Sequence, residues 1–334
     1  MKILISSHHF LPSTGGIEKV TELLAREFVR RGHLVRVVTQ TPGEAKFSFE
    51  VVRRPSAGAL VAAVRWCDVF LQNNISLRTL WPLAIIRRPL FVIHQTWITA
   101  PDGSVGWLDN LKRIALRFGE SFAISDAVAA SLPVPSRVVG NPYDETIFRQ
   151  HPQITRAKDL VFVGRLVSDK GADLLLEAIA LLSREQLQPG LTLVGDGPEK
   201  DALEQQARTL GLRDHVVFVG MRDSVEIAAL LNEHKILVVP SKWAEPFGIV
   251  ALEGIACGCA VIGSAAGGLP EAIGPCGRTF PNGDVNALAS AIAALLRDDD
   301  QRADLAAASG AHLAKFTSAR IADFYLDAMA AKLK

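Results

Sequence analysis

Residues 238–258 read VVPSKWAEPFGIVALEGIACG, and their reading decides the fold. The apolar run that leads into them, KILVVP at 235–240, has the length and composition of a buried strand. After a short turn a helix is expected to open near Pro246 and to bear two glutamates. Glu245 would stand at its mouth, where unpaired N–H groups favour an anion or a carboxylate. Glu253, eight residues on, would lie roughly 12 Å down the axis at about 1.5 Å per residue. Paired glutamates on a surface helix are commonly only solvated. These are set apart by the Pro246-Phe247-Gly248 turn and by a face of small residues, Gly248, Ala251, Gly254 and Ala256, that lets a ligand approach closely. A ligand with a diphosphate for the helix N-terminus and hydroxyls at both ends, such as a nucleoside diphosphate sugar, has about that reach.

Immediately upstream the same grammar repeats. DLVFVGRL, at 159–166, is a strand with Arg165 at its end; Ser168-Asp169-Lys170-Gly171 then leads into a helix, ADLLLEAIALLSR. Arg165 and Lys170 flank a strand-to-helix turn, where two cations can grip a diphosphate. LTLVG ends in Gly195-Asp196-Gly197-Pro198, and HVVFVG ends at Gly220, followed by Met221; both turns fall at the same edge of a sheet. Downstream come CAVIGS, then Gly267-Gly268-Leu269-Pro270-Glu271, and helices at about 285–297 and 318–332.

The first 140 residues alternate in the same way. KILISS at 2–7 runs through a polar loop, HHFLPSTGG, into a helix at about 17–31, whose Ile17, Val20, Leu24 and Phe28 recur at helical spacing. Gly32 stops it and LVRVVT follows, giving a βαβ unit. Gly15-Gly16 is not the G-x-G-x-x-G of a dinucleotide fold, so a nicotinamide cofactor gains little support. The pair is either a plain tight turn or bare backbone offered to a ligand. FEVVRR, CDVFLQN, PLFVIHQ, SFAIS and SRVVGN complete a set of short apolar strands, which implies a parallel sheet covered on both faces. Ligands of such sheets sit at the carboxyl ends of the strands. His94, directly after LFVI, is at such an end, and both a structural and a functional role stay open for it.

A chain of 334 residues implies two domains, and residues 141–158 have the character of a linker between them. With 49% hydrophobic and 21% charged residues the chain is globular, not disordered. The longest apolar stretch, 81–97, is interrupted by Arg87 and Arg88, and the N-terminal run is too short for a signal peptide; a cytoplasmic location is expected. The four cysteines contain no C-x-x-C pair and are read as reduced, mostly buried thiols. Net charge is +1, unevenly spread: residues 1–150 hold 18 Lys and Arg against 12 Asp and Glu, and the rest 18 against 23. A basic first half implies an anionic partner such as the inner membrane face, contacted peripherally; no nucleic acid is expected. Residues 105–118, VGWLDNLKRIALRF, are read first as a packed helix with a solvated basic face and second as a helix resting on an anionic membrane.

Taken in order these motifs are familiar. Glu245 to Glu253 is similar to the E-x7-E signature of retaining glycosyltransferases of family 4, and Arg165-x4-Lys170-Gly171 resembles that family's R-x4-K pair. Gly15-Gly16, His94, Gly195-Asp196-Gly197-Pro198 and Gly267-Gly268-x-Pro-Glu271 extend the resemblance over nearly the whole chain. It implies the α/β GT-B architecture: two Rossmann-like domains, each with an open parallel sheet, facing across a cleft, here at 1–145 and 155–317, with the helix at 318–332 crossing back onto the first. It further implies that Arg165 and Lys170 bind the diphosphate of the donor, Glu253 the ribose and Glu245 a sugar hydroxyl. The backbone of Gly16 and of Phe247, Gly248, Ile249 and Val250 would line the phosphate and sugar, and His94 would lie near the sugar's C6 hydroxyl. Gly15, Gly195 and Met221 complete the candidate donor-binding set. Asn141-Pro142-Tyr143-Asp144 departs from the N-G-V-D often seen at the hinge, and proline would stiffen it.

No metal ligand and no cofactor are expected beyond the nucleoside diphosphate sugar, which is a substrate. The only D-x-D match, Asp298-Asp299-Asp300, follows a C-terminal helix far from any phosphate turn and is read as solvated charge. With no placed nucleophile, front-face transfer with retention is the expected course, to a glycan, lipid-linked or small-molecule hydroxyl. Two other classes remain: a nucleotide-sugar epimerase or hydrolase on the same scaffold, and a non-catalytic sugar-nucleotide-binding protein.

Overall fold

The structure, a computed structural model, describes residues 1–13, 15–98 and 106–333 of the 334. The chain forms two compact units, Met1–Pro142 with Phe316–Lys334, and Tyr143–Lys315.

In the first unit the chain alternates strand and helix: β1 (Lys2–Ser7), α1 (Gly16–Arg30), β2 (Leu34–Thr39), β3 (Glu50–Arg53), α2 (Ala57–Trp66), β4 (Val69–Asn73), α3 (Leu77–Leu80), β5 (Leu90–His94), α4 (Trp107–Leu116), β6 (Glu120–Ala123), α5 (Asp126–Ser131) and β7 (Ser136–Val138). The strands form one parallel sheet in the order β3-β2-β1-β4-β5-β6-β7. Every residue of β4 and β5 is buried, as apolar runs covered on both faces must be. The order reverses between β1 and β4, whose register pairs Ser7 with Asn73, so the loops that follow them leave the sheet side by side. The last helix of the chain, α14 (Ser318–Leu333), returns to this unit and packs on α1. Arg31 joins the two, with Nε 2.5 Å from Asp323 Oδ1 and a second nitrogen donating to the Ala319 carbonyl at 2.7 Å. Phe122 of β6 meets Tyr325 edge to face at 5.2 Å.

The second unit contains β8 (Lys158–Val163), α6 (Ala172–Arg184), β9 (Leu191–Val194), α7 (Lys200–Thr209), β10 (Val216–Gly220), α8 (Ser224–Glu233), β11 (His234–Val239), α9 (Ile249–Ala256), β12 (Ala260–Ser264), α10 (Leu269–Ile273), β13 (Gly277–Phe280), α11 (Val285–Arg297), α12 (Asp299–Ala307) and α13 (Ser309–Leu313). Its sheet is also parallel, in the order β10-β9-β8-β11-β12-β13, and reverses between β8 and β11. Leu160, Phe162, Leu175, Ile179, Ile236 and Ile292 belong to its core. The four cysteines are free and buried, and burial raises the Cys259 thiol to about 12, so it stays protonated.

Two expectations are corrected here. The helix expected to open near Pro246 begins at Ile249: its N-cap, Gly248, is left-handed at φ 98°, which breaks any helical run from Glu245. Only Glu253 lies on α9, so a spacing along one helix axis does not relate the two glutamates. The helix at 105–118, of which Val105 lies outside the described residues, is not packed through its apolar face. Trp107 is 72% and Phe118 81% exposed, and Leu108, Leu111 and Ile114 are exposed with them; within α4 only Leu116 is buried. Amphipathic spacing shows that a helix forms, but not that the protein supplies a neighbour for its apolar side.

Candidate functional site

In open parallel sheets, ligands gather at the carboxyl ends of strands where the order reverses. In the second unit those are the ends of β8 and β11. After β8 the chain passes Arg165 and a short turn, Ser168–Lys170, and reaches Gly171 at φ 70°. A Cβ on Gly171 would stand 2.0 Å from the Pro240 carbonyl oxygen, so only glycine lets this turn lie against the end of β11. The Lys242 amide donates to the Asp169 carbonyl at 2.8 Å and fastens the two segments.

That contact places Lys170 over the segment that follows β11. Lys170 Nζ lies 2.5 Å from Glu245 Oε1, and Ser241 Oγ donates to the same oxygen at 2.7 Å. The ring of Trp243 lies 5.8 Å from the ammonium, within cation–π range. Glu245 is 8% exposed, and a carboxylate so enclosed requires a cation and a donor of this kind. Its main chain is held as closely: Gly268 N–H donates to the Glu245 carbonyl at 2.7 Å, and Glu245 pairs with Gly267 as an isolated parallel bridge. Gly267 is left-handed at φ 70°, and a Cβ there would stand 2.1 Å from the Glu245 carbonyl oxygen. The Gly267-Gly268 motif therefore acts on Glu245. Trp243 Nε1 and Asp169 Oδ1 are buried without a hydrogen-bond partner among the described residues, so polar atoms at this site remain unsatisfied.

The other candidates are placed as follows. Arg165 is exposed, with no ion pair among the described residues. Ile249 and Val250 open α9, where first-turn N–H groups have no acceptor within the helix; Phe247 is buried, and Glu253 is half-buried one turn further on. Gly195 follows β9 with its amide donating to the Gly220 carbonyl at 2.9 Å, and Met221 stands exposed after β10. The D-x-D match is structural in its first two members: Asp298 caps α12 by accepting from the Gln301 amide, and Asp299 pairs with Arg302.

In the first unit Gly15 is the extended N-cap of α1 and Gly16 its first residue. Glu18, which the sequence reading passed over, is buried against this turn and accepts a hydrogen bond from Ser13 Oγ at 3.1 Å. His94 ends β5; it is 1% exposed, with Nε2 3.2 Å from Ser121 Oγ on the next strand. Burial lowers its pKa to about 4, so the ring is neutral at neutral pH. At the β1–β4 reversal a cavity of about 450 Å³ opens, lined among others by His8, His9, Asn73, Arg78, Leu108 and Lys112. The sequence reading missed this cavity, as it missed Ser241 and Trp243. The usable signal was position, since His8 and Asn74 directly follow strands.

The profile of the family Glycosyl transferases group 1 matches residues 144–311, half of the chain, and the chain belongs to that family. It is a glycosyltransferase. It is 27% identical over 359 aligned positions to the GDP-mannose-dependent alpha-(1-6)-phosphatidylinositol monomannoside mannosyltransferase of Mycolicibacterium smegmatis, covering 93% of each chain. With the glycogen synthase of Mycobacterium tuberculosis it shares 38% identity over 146 residues, 43% of this chain and 35% of that one. Among solved structures, Anabaena HepE in complex with UDP and glucose superposes with a TM-score of 0.81 over 99% of both chains at 23% identity. The fold is GT-B.

Proposed function

We propose that this chain moves a hexose from a UDP- or GDP-linked sugar to a hydroxyl of a glycan, lipid-linked or small-molecule acceptor, with retention at the anomeric carbon and without a metal ion. The observation that carries this reading is the Lys170–Glu245 pair at the β8–β11 reversal, with Arg165, in the loop after β8, making no ion pair among the described residues. Departure of a nucleoside diphosphate puts negative charge on the β-phosphate. Lys170 and the first-turn amides of α9 at Ile249 and Val250 are a fixed positive set able to receive it, the kind of electrostatic preorganisation that dominates many enzymes, and the exposed Arg165 adds a mobile guanidinium. Glu245 takes a sugar hydroxyl and Glu253 the ribose. His94 enters as a neutral hydrogen-bonding group at the end of β5. With the diphosphate side so furnished and no nucleophile assigned among the described residues, the departing phosphate takes the acceptor's proton on the face it leaves. Donor use by the relatives supports the reading, since one is described as GDP-mannose-dependent and another was solved with UDP and glucose.

The test is a thermal-shift screen against UDP-, GDP- and ADP-sugars, followed by turnover with and without acceptor. A ligand bound only by the native state raises its stability. One sugar nucleotide is expected to stabilise the protein and to be consumed slowly until an acceptor is added. Rapid consumption without acceptor would assign a hydrolase or epimerase instead.

A further inference from the structure

The sheet of the second unit ends on two strands, β13 and β10, and they are finished differently. β13, GRTF, presents Arg278 and Thr279 to solvent, a polar edge of the kind that discourages pairing with another chain. β10, VVFVG, holds neither a charge nor a proline. Its Val216 belongs to the core and Phe218 packs against that core, whereas Val217, on the opposite face, is 57% exposed, with Val219 next to it on the same side. β10 pairs with β9 alone, so its second edge is open to another strand. An apolar strand open along one edge and bare on one face is a surface prepared for association.

The ladder decides which backbone groups turn to that edge. The Leu191 amide donates to the His215 carbonyl at 2.7 Å, so His215 faces β9. Backbone groups alternate in direction along a strand; Val217, level with Thr192, therefore faces β9 too, and Phe218 turns its N–H and C=O outward. Beyond Phe218 the register shifts, and Gly220 accepts from the Gly195 amide at 2.9 Å. The Val216 amide donates to the Leu212 carbonyl at 3.1 Å, which leaves Phe218 as the residue of β10 that can offer both a donor and an acceptor to a new neighbour.

Two copies meeting antiparallel at Phe218 exchange both groups, N–H to C=O in each direction. The flanking residues play no part in finding that register, yet they fit it. Counting outward from Phe218, Val217 falls opposite Val219 of the second copy, Asp214 opposite its Arg222, and Arg213 opposite its Asp223. All four charged residues are exposed. Valines facing each other across the seam and unlike charges at both ends favour the pairing.

We propose that β10 is a self-association edge: a second copy of this chain pairs with it antiparallel about a two-fold axis through Phe218 and joins the two six-stranded sheets into one. A second copy is favoured over an unlike protein because Arg213-Asp214 and Arg222-Asp223, read in reverse, are complementary to themselves. The two-fold contact closes on itself, so assembly stops at a dimer. The register shift after Phe218 and the left-handed Gly220, at φ 72°, keep the paired stretch short, so the dimer is weak and concentration-dependent. The inference stands apart from the transferase reading, and its test needs no sugar nucleotide.

The full chain is followed by sedimentation velocity over a concentration series up to about 200 μM, a range that registers micromolar dissociation constants. Wild type is expected to pass from monomer to dimer. Val217→Lys sets a cation against Val219 in both halves of the seam and is expected to weaken the dimer at least about tenfold. Because Val217 is exposed, the thermal midpoint of that variant holds. Asp214→Arg and Arg222→Asp each bring like charges together and are expected to weaken the dimer roughly threefold, and the double variant, with unlike charges restored in reversed order, recovers the wild-type constant. Register is read by oxidation of Val217→Cys/Val219→Cys, whose opposed thiols are close enough to bridge, beside Val217→Cys alone, whose thiols are not opposed. The native cysteines are buried, and a covalent dimer is expected from the double-cysteine variant and not from the single one. A monomer throughout the series, association untouched by Val217→Lys, charge reversals that do not rescue each other, or cross-linking as ready in the single-cysteine variant as in the double one overturns the proposal. Assemblies that keep growing past the dimer also overturn it, since they assign an open contact between unlike surfaces.

Discussion

Lys170→Ala is expected to lower kcat/KM by at least about a hundredfold, equivalent to roughly 2.7 kcal/mol. The substitution also removes the partner of Glu245. With the ammonium 2.5 Å from Oε1 and the two side chains 22% and 10% exposed, the pair is largely shielded from water. Stripping one partner from such a pair costs about 3 kcal/mol of stability. A fall in activity alone therefore does not separate a phosphate-binding lysine from one that only steadies Glu245. A double-mutant cycle separates them. Glu245→Gln keeps the side-chain volume and retains an oxygen for Ser241 Oγ. If Lys170 acts only through Glu245, the double variant turns over as slowly as Glu245→Gln alone. If Lys170 holds the diphosphate, the double variant loses about a further thirtyfold or more. The second readout is calorimetric titration with whichever of UDP, GDP and ADP binds. A free nucleoside diphosphate lacks the sugar assigned to Glu245, so Lys170→Ala weakens its binding and Glu245→Gln does not. A folded Lys170→Ala protein with near-normal turnover, or nucleoside diphosphate affinity untouched by it, refutes the phosphate role.

EDTA is expected to leave activity intact, because Asp298 and Asp299 serve as a helix cap and an ion pair and the positive charge at the candidate site is supplied by side chains; loss in EDTA with recovery in Mn²⁺ would count against this. Gly267→Ala places a Cβ 2.1 Å from the Glu245 carbonyl oxygen at a left-handed φ, so a stability loss of about 2 kcal/mol or more is expected by urea denaturation, together with a fall in activity at least as large as that of Glu245→Gln. His94 is lowered from 6.5 to about 4 by burial, so the unfolded chain takes up a proton that the folded chain refuses between those values. Its contribution is intact above pH 6.5 and lost as pH falls towards 4, about 3 kcal/mol in full, and His234 and His312, also lowered, act in the same sense. Denaturation midpoints for His94→Gln should fall less steeply over that range than wild type, and parallel curves would refute the assignment.

What was legible depended on how local its cause was. ADLLLEAIALLSR forms α6 over the same residues that its apolar spacing marks, because the pattern and the glycine before it are contained in the segment. The start of α9 was not legible. A proline ahead of an apolar run resembles a helix opening, yet Gly248 turns left-handed and Glu245 is drawn into a bridge with Gly267, a partner more than twenty residues away. The exposure of α4 had the same obstacle, since a strip of apolar residues does not state whether a neighbour covers it. Lys170 and Glu245 were singled out separately as a cation and an anion for one ligand; that they meet each other follows from β8 and β11 being adjacent, and strand order is not written in either segment. His8, Asn73 and Arg78 were overlooked for that reason too.

The two cations at the β8–β11 reversal are built differently, and their roles should differ accordingly. Lys170 is positioned by main chain: Gly171 against Pro240, Lys242 against Asp169, and Glu245 against Gly267 and Gly268 fix the three segments that surround its ammonium. A charge held by backbone contacts needs little reorganisation when negative charge develops beside it, which is the condition for a large catalytic effect. Arg165 reaches into solvent from a loop with no ion pair among the described residues, so it must give up rotamer freedom on binding and is screened by salt. Its planar guanidinium still offers bidentate contact to phosphate oxygens, which suits recognition of the ground-state diphosphate. The expectation that follows is that substituting Arg165 mainly raises the KM for donor, with a strong dependence on ionic strength. Substituting Lys170, which is pre-set by its paired carboxylate and by contacts that depend on Gly171 and Gly267, is expected mainly to lower kcat.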